Sequence, residues 1–287
     1  AASGLPLVPV AERNPLITTT YGTGELIKAA LDKGCRTIIV GIGGSATNDG
    51  GLGMAQALGI SFFDKGGQEL GFGGGSLACL NRIKMSGLDP RIKKTTLIVA
   101  CDVDNPLCGP QGASAVFGPQ KGATPEVVKQ LDQNLAHYAK VIKEQVGADV
   151  LQLPGGGAAG GLGAGLVGLL GAVLRPGIEI VIASTCLEEK IKGATLVITG
   201  EGRTDYQTAH GKAPAGIARV AKKLGVPVIA ISGALGEKYE KVYEAGLDAV
   251  FSIAPGPVSL KMALKNSSRY LKSQATNIAR LVKALRE

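Results

Sequence analysis

Residues 37–51 read TIIVGIGGSATNDGG, and this stretch decides the predicted fold. Its first six residues form a short, β-branched apolar run bounded by glycine, which is typical of a buried strand. Residues 43–51 form a glycine-rich loop, and a helix is expected to follow through Leu58. A strand, a glycine-rich loop and a helix in this order indicate an α/β domain, and the free N–H groups that begin the helix favour an anion in the loop.

The same alternation continues along the chain. Further strands are predicted at 95–101, 196–199, 226–232 and 249–253, and helices at 23–33, 125–146, 213–224, 238–245 and 260–285. Strands that alternate with helices at this spacing indicate parallel sheets, so the predicted fold class is α/β. The pattern of the sequence changes near residue 192. We predict the boundary between two domains there, 1–192 and 193–287.

The composition excludes several classes of protein. Hydrophobic residues make up 45% of the 287 residues and charged residues 19%, which excludes a disordered chain. Most of the net charge of +8 lies in residues 258–287, and tryptophan is absent, so we expect no nucleic-acid partner. The most apolar run, at 160–174, is too short to span a membrane. The five cysteines are an odd number without a C-x-x-C spacing, so we expect reduced thiols and a cytoplasmic protein.

Two glycine-rich loops are candidate phosphate sites. In parallel sheets ligands bind at the carboxyl ends of strands, and glycine lets the backbone approach them closely. Loop one spans residues 43–51 and loop three spans residues 155–161. Their candidate cofactor-binding residues are Gly43, Gly44, Ser45, Thr47, Asp49, Gly156, Gly157, Gly160 and Gly161. Asp49 is in addition a candidate metal ligand or base.

Two further loops carry charged side chains. Loop two, residues 102–105, places Asp102 and Asp104 directly after a hydrophobic strand, and such oxygen ligands suit Mg²⁺. Loop four, residues 200–205, is followed shortly by Lys212. It offers carboxylates for a metal or a proton, and its basic side chains suit phosphate or carboxylate groups. The candidate catalytic residues are Asp205, Arg203, Lys212 and Glu201.

Standard nucleotide motifs leave alternatives open. The phosphate-loop pattern G-x-x-x-x-G-K-[ST] is absent, because Gly211-Lys212 is followed by Ala213. Residues 155–160 match G-x-G-x-x-G, but Pro154 separates them from the preceding strand, and the expected acidic residue further on is missing. The residues favour phosphoryl transfer, which requires positioning and charge neutralisation rather than a special nucleophile. A dinucleotide (NAD) site at these glycines is left open as the alternative.

Several long motifs carry a resemblance to a known family. They are GIGGSATNDGG at 41–51, CDVDNPL at 101–107, GPQGA at 109–113, GEGRTD at 200–205 and HGKAP at 210–214. Together with the glycines at 155–165 and Gly256-Pro257, they resemble the bacterial glycerate kinase family, in order and over essentially the whole chain.

The resemblance implies an ATP- and Mg²⁺-dependent kinase that phosphorylates a hydroxyl of D-glycerate, giving 2-phosphoglycerate or 3-phosphoglycerate. It also implies two α/β domains: a larger inserted domain, here 1–192, and a Rossmann-like domain whose C-terminal part is 193–287. The family pattern begins upstream of Ala1, so we expect the parallel sheet of the Rossmann-like domain to lack its first strands in this chain.

The resemblance and the residues together give a hypothesis for the roles. Arg203 and Lys212 would bind the substrate carboxylate or the transferring phosphate. Asp102, Glu201 and Asp205 would hold Mg²⁺ or take the hydroxyl proton. Backbone amides of 43–45 and 156–161 would cradle the phosphates of ATP. A small-molecule substrate and ATP are the expected partners, and a homodimer is left open. An NAD-dependent hydroxy-acid oxidoreductase and a non-catalytic small-acid-binding protein are the alternative functions.

Overall fold

The computed structural model describes residues 2–209 and 211–285. The chain divides into two compact units, Ala1–Arg175 and Pro176–Glu287, and each has its own helices and parallel sheet. The predicted α/β class with parallel sheets is therefore confirmed.

The first unit contains a parallel sheet and a short antiparallel pair. Its strands are β1 (Thr37–Gly41), β2 (Ser61–Phe63), β3 (Arg82–Lys84), β4 (Thr96–Ala100) and β5 (Val173–Arg175). Its helices are α1 (Tyr21–Asp32), α2 (Leu52–Ala57), α3 (Ala113–Phe117), α4 (Pro125–Gln145) and α5 (Ala158–Leu170). The parallel sheet has the order β1-β4-β5, and β2 pairs with β3.

The position of β1 in the sheet differs from the expectation. Residues 37–42 were expected to form a buried strand, but β1 pairs only with β4 among the described strands and so lies at an edge. Ile39 is consequently 48% exposed, whereas Val99 in the central strand β4 is fully buried. The expectation of burial is wrong here, because an apolar run does not reveal how many strands flank it.

Helix α4 shows why the local sequence folds as it does. Pro125 occupies the first turn, where its missing N–H costs nothing, and the Thr124 hydroxyl accepts a hydrogen bond from the Val127 N–H. Leu131, Leu135 and Ile142 then repeat at helical spacing, and all three are fully buried in the core of this unit. The helix also contacts the loops that follow β1 and β4, because Leu135 lies against Gly50 and the Asp132 carboxylate accepts a hydrogen bond from the Gly109 N–H.

The second unit is also built around three parallel strands. These are β6 (Val197–Thr204), β7 (Val228–Leu235) and β8 (Ala249–Ser252), in that order. Its helices are α6 (Gly177–Ser184), α7 (Leu187–Ile191), α8 (Ala213–Lys223), α9 (Lys241–Glu244), α10 (Leu260–Lys265) and α11 (Ser267–Ala284). Helices α6 and α7 pack against α8, so residues 176–192 belong to this compact unit. The assignment of 1–192 to an inserted domain stays a prediction.

Two predicted elements of the second unit need correction. The strand expected at 196–199 continues to Thr204, because the eight-residue strand β7 offers it backbone partners as far as Leu235. Loop four is therefore mostly strand. The single helix expected at 260–285 is interrupted at Asn266, which ends α10 and precedes α11. Within the described residues, no helix is both long and apolar enough to cross a bilayer.

Candidate functional site

Loops one and three of the first unit contact each other through their backbones. The Gly50 N–H donates a hydrogen bond to the Gly160 carbonyl at 3.0 Å. A side chain at Gly160 would overlap the carbonyl oxygen of Thr47, and one at Gly161 would come within 3.0 Å of the Gly50 Cα. These glycines are therefore required because the two loops approach more closely than any side chain allows.

Loop two joins the same arrangement. The Gly157 N–H donates a hydrogen bond to the Asn105 carbonyl at 3.0 Å, and a side chain at Gly157 would overlap the Pro106 carbonyl oxygen. A Cβ at Gly155 would lie 3.0 Å from the Cys101 sulfur. The structure thus brings loops one, two and three together at the carboxyl ends of β1 and β4, as the sequence predicts for parallel strands.

The nine predicted cofactor-binding residues fall into two groups. Gly43 and Gly44 are exposed, and a Cβ added at either meets no atom of the described residues within 4 Å. The others are buried: Ser45, Thr47, Asp49, Gly156, Gly157, Gly160 and Gly161. The exposed pair is available to a ligand, whereas the packing shown for the buried residues supports the loops. Direct ligand contact by the buried residues stays a prediction.

Asp49 organises loop one from within. Its fully buried carboxylate accepts hydrogen bonds from the backbone N–H and hydroxyl of Thr20, at 2.8 and 2.9 Å, and from the N–H groups of Gly51 and Gly53. Burial raises the pKa of the Asp49 carboxyl above its ordinary value, against the opposing effect of these hydrogen bonds. Asp49 thereby ties the start of α2 to Thr20, which precedes α1.

Lys121 is buried against loop one. The sequence analysis did not identify it. Its side chain is 1% exposed, and its ammonium donates hydrogen bonds to the Thr47 carbonyl at 2.6 Å and to the Ser45 hydroxyl at 3.0 Å. Burial lowers the pKa of Lys121 to about 8, while the charge of Asp49 opposes that shift. No local pattern identifies this lysine, because its partners lie more than seventy positions earlier in the sequence.

A cavity of about 310 Å³ opens beside loop one. Gly43 and Ser45 line it together with apolar side chains of α1 and β1, such as Leu26, Ile27 and Val40. Apolar walls with a few polar groups are typical of small-molecule sites. A larger cavity of about 1140 Å³ lies in the second unit and is lined by none of the predicted site residues.

The predicted metal ligands of loop two are exposed. Asp102 and Asp104 follow β4 directly and both reach solvent. Across residues 2–209 and 211–285, no three His, Cys, Asp or Glu side chains are grouped so that they could hold a metal ion. Mg²⁺ commonly takes only one or two protein carboxylates and completes its shell with water and phosphate oxygens, so these residues fit such an ion.

The second unit brings three predicted catalytic residues into one group, the Arg–Asp–Lys cluster of Arg203, Asp205 and Lys212. The Arg203 Nε and the Lys212 Nζ each lie 3.8 Å from an Asp205 carboxylate oxygen. The basic side chains are 63% and 43% exposed, whereas Asp205 is 17% exposed. In such a group the two accessible cations can bind an anionic molecule, and the carboxylate between them can accept a proton from it.

Glu201 is linked to this cluster through buried hydroxyl groups. Its Oε1 atom accepts hydrogen bonds from the Thr208 hydroxyl at 2.6 Å and the Thr204 hydroxyl at 3.0 Å. The Thr208 hydroxyl also accepts a hydrogen bond from the Asp205 N–H, and the Thr204 and Ser232 hydroxyls lie 2.6 Å apart. The two threonines and the serine are fully buried, and the sequence reasoning missed them because isolated hydroxyl residues carry no motif.

His210, which belongs to the HGKAP motif, lies outside the described residues. Lys212 of the same motif immediately precedes α8, and Pro214 occupies the first turn of that helix. The motif thus places a lysine at the start of a helix and next to Asp205.

The comparisons with known proteins agree with one another. Residues 1–283 match the sequence profile of the Glycerate kinase family. A protein named glycerate kinase from Halalkalibacterium halodurans is 55% identical over 278 residues, which cover 97% of this chain and 73% of the relative. A protein named glycerate 2-kinase from Escherichia coli K12 is 55% identical over 279 residues, with the same coverage of each chain.

A solved structure is similar over the whole chain. It is a crystal structure of a protein described as glycerate kinase 2 from Salmonella typhimurium LT2, with a TM-score of 0.88 and 53% identity. The match covers 100% of this chain and 75% of that one. The resemblance stated from the motifs and the predicted enzyme class are both confirmed: this chain belongs to the glycerate kinase family.

Proposed function

We propose that this chain is an ATP-dependent glycerate kinase that transfers the γ-phosphoryl group of ATP to a hydroxyl of D-glycerate in organic-acid metabolism. The observation that carries the proposal is the 55% identity, over nearly the whole chain, to proteins named glycerate kinase. The name of the Escherichia coli relative supports 2-phosphoglycerate as the product.

The first unit supplies groups suited to ATP. Gly43 and Gly44 offer exposed backbone beside a cavity large enough for part of a nucleotide. Asp102 and Asp104 would hold Mg²⁺ at the end of β4, since Mg²⁺ needs few protein ligands when phosphate oxygens complete its shell. When bound, this ion supplies charge neutralisation on the phosphoryl oxygens.

The second unit supplies groups suited to a hydroxy acid. Arg203 and Lys212 bind the glycerate carboxylate or the transferring phosphoryl group. The glycerate hydroxyl oxygen bonds to the γ-phosphorus as the bond to the ADP oxygen breaks, and Asp205 accepts the hydroxyl proton. Glu201 holds Thr208, which in turn holds the backbone of Asp205.

The oxidoreductase alternative finds no support in the glycines of loop three. A dinucleotide fingerprint needs glycines whose backbone faces a pyrophosphate. Gly155, Gly157 and Gly160 are instead buried against Cys101, Pro106 and Thr47.

A cytoplasmic location agrees with the five free cysteines and belongs to the proposal. The oligomeric state stays open.

The reaction is tested by ³¹P NMR of the protein with ATP, Mg²⁺ and D-glycerate. We expect ADP together with a phosphomonoester doublet, because the phosphorus of 2-phosphoglycerate couples to one carbon-bound proton; 3-phosphoglycerate would give a triplet. Calorimetric titration should detect ATP binding and no NADH binding. Glycerate binding without ADP formation would identify a binding protein and contradict the proposal.

A further inference from the structure

Lys121 is a charged side chain in the core that the proposed reaction does not use. Only 1% of its surface is exposed, and it lies at the end of a short 3₁₀ turn, Pro119–Lys121. Lysine is rarely this buried, because its ammonium loses the hydration that water provides and must recover it from specific partners. The location of those partners therefore indicates what the lysine does.

Among the described residues, both hydrogen-bond partners of the Lys121 ammonium belong to loop one. The ammonium binds the Thr47 carbonyl and the Ser45 hydroxyl, so it holds loop one at two points just after the exposed Gly43 and Gly44. Further polar atoms of the loop, Thr47 Oγ1 and Asn48 Oδ1, are buried and make no hydrogen bond within the described part of the chain. A loop with unsatisfied acceptors depends strongly on the donors that do reach it.

The charges around Lys121 come from three elements. Asp49 faces it from loop one, and Tyr138 of α4 lies near Asp49. The burial of the Tyr138 hydroxyl, and to a smaller extent the charge of Asp49, raise the pKa of that hydroxyl. Arg13 binds the neighbouring Gln120 carbonyl from the solvent side. The carboxylate of Asp49 is occupied by Thr20, Gly51 and Gly53, so it offsets the charge of Lys121 without forming a hydrogen bond with it.

We propose that Lys121 is a positioning residue for nucleotide binding: its ammonium fixes Ser45 and Thr47 so that Gly43 and Gly44 present their backbone to the phosphates of ATP. The inference rests on the proposed function, because it assumes that loop one binds ATP. Lys121 acts through loop one from the interior of the protein. Its positive charge therefore lies on the protein side of an anionic ligand.

The test compares Lys121→Met and Lys121→Arg with Lys129→Met, which removes an exposed lysine of α4. Free ATP and, separately, D-glycerate are titrated into each protein by calorimetry at about pH 7 and about pH 9.5, where a lysine of lowered pKa changes charge. At the lower pH, Lys121→Met should weaken ATP binding roughly tenfold or more, with glycerate binding unchanged. Lys129→Met should behave as the wild type.

The pH dependence separates positioning by charge from simple packing. Wild-type affinity for ATP should fall towards that of Lys121→Met at the higher pH, whereas Lys121→Arg should lose less because arginine stays charged. If Lys121→Met does not fold, the wild type and Lys121→Arg carry this comparison alone. ATP affinity that is equal in wild type and Lys121→Met, or that falls equally with pH in wild type and Lys121→Arg, would overturn the proposal.

The two proposals fail in distinguishable ways. If the wild type binds ATP but forms no phosphoglycerate, the kinase activity is refuted. The ATP titrations of the Lys121 variants then still decide the role of Lys121. A wild type that makes phosphoglycerate while Lys121→Met keeps full ATP affinity refutes only the role of Lys121. A wild type that binds neither ATP nor inorganic triphosphate refutes both.

Discussion

In loop one the carboxylate of Asp49 is fully buried and accepts four hydrogen bonds, whereas in the Arg–Asp–Lys cluster the guanidinium of Arg203 is 63% exposed and lies 3.8 Å from Asp205. The first region uses its charged side chains to hold a backbone shape and leaves Gly43 and Gly44 exposed. In the second region the basic side chains themselves reach solvent. A charged residue in a polar motif therefore has to be interpreted with its burial in view, since Asp49 supports a loop from the interior whereas the side chains of Arg203 and Lys212 reach solvent.

The largest expected effect tests whether the Arg–Asp–Lys cluster acts through its side chains. Asp205→Asn keeps the shape of the side chain but removes the proton acceptor, so kcat should fall about 10²–10⁴-fold. Steady-state kinetics measure the effect, and Glu188→Gln, on the exposed face of α7, is the control. Near wild-type turnover in Asp205→Asn would remove Asp205 from the reaction.

A second change tests whether loop one is held by close backbone contact. Gly160→Ala places a Cβ against the Thr47 carbonyl at a residue with φ of +68°. The free energy of unfolding should fall by about 1–3 kcal/mol because of backbone strain, and further because of the clash. Gly171→Ala is a matched control, because Gly171 has the same φ but open space around it. Urea unfolding measures both, and equal losses would show that the loops do not depend on this contact.

The buried charge of Lys121 gives a pH-dependent prediction. Its pKa is about 8 in the folded protein and 10.5 ordinarily, so between these values the unfolded chain binds a proton that the folded chain does not. Stability rises with pH wherever the unfolded state binds more protons. The melting temperature of the wild type should therefore rise relative to Lys121→Met from about pH 8 to about pH 10. A constant difference would mean that Lys121 titrates normally.

The smallest expected effect concerns the support beneath Asp205. Thr208→Val removes the hydroxyl that links Glu201 to the Asp205 N–H, at a cost of about 1 kcal/mol, or roughly fivefold in kcat. Thr276→Val is a suitable comparison, since its hydroxyl only binds a carbonyl within α11. An unchanged kcat in Thr208→Val would show that Asp205 is positioned without this link.

The sequence predicted what depends on local pattern. The apolar runs at β1 and β4 and the capped helix α4 were placed to within one or two residues, and the polar loops were predicted to gather at strand ends. The predicted catalytic residues Asp205, Arg203 and Lys212 lie within ten consecutive positions and carry charge, so their short spacing already indicated that they lie close together.

What depends on distant partners could not be predicted. The burial of β1 depends on its strand neighbours, and the length of β6 depends on β7. Lys121 reaches loop one only through the folded core. The glycines of loop three pack against Thr47 and Pro106, and no sequence motif indicates these contacts. Phosphate binding by loop three stays a prediction.

The run of left-handed residues Ala159, Gly160 and Gly161 has a mechanical consequence. Gly160 and Gly161 lie against Thr47 and Gly50 of loop one, and Gly161 also lies against Leu107, so the turns that follow β1 and β4 pack on the same kink. A ligand that binds beside loop one meets backbone that is already packed in place, and such preorganisation lowers the entropic cost of binding.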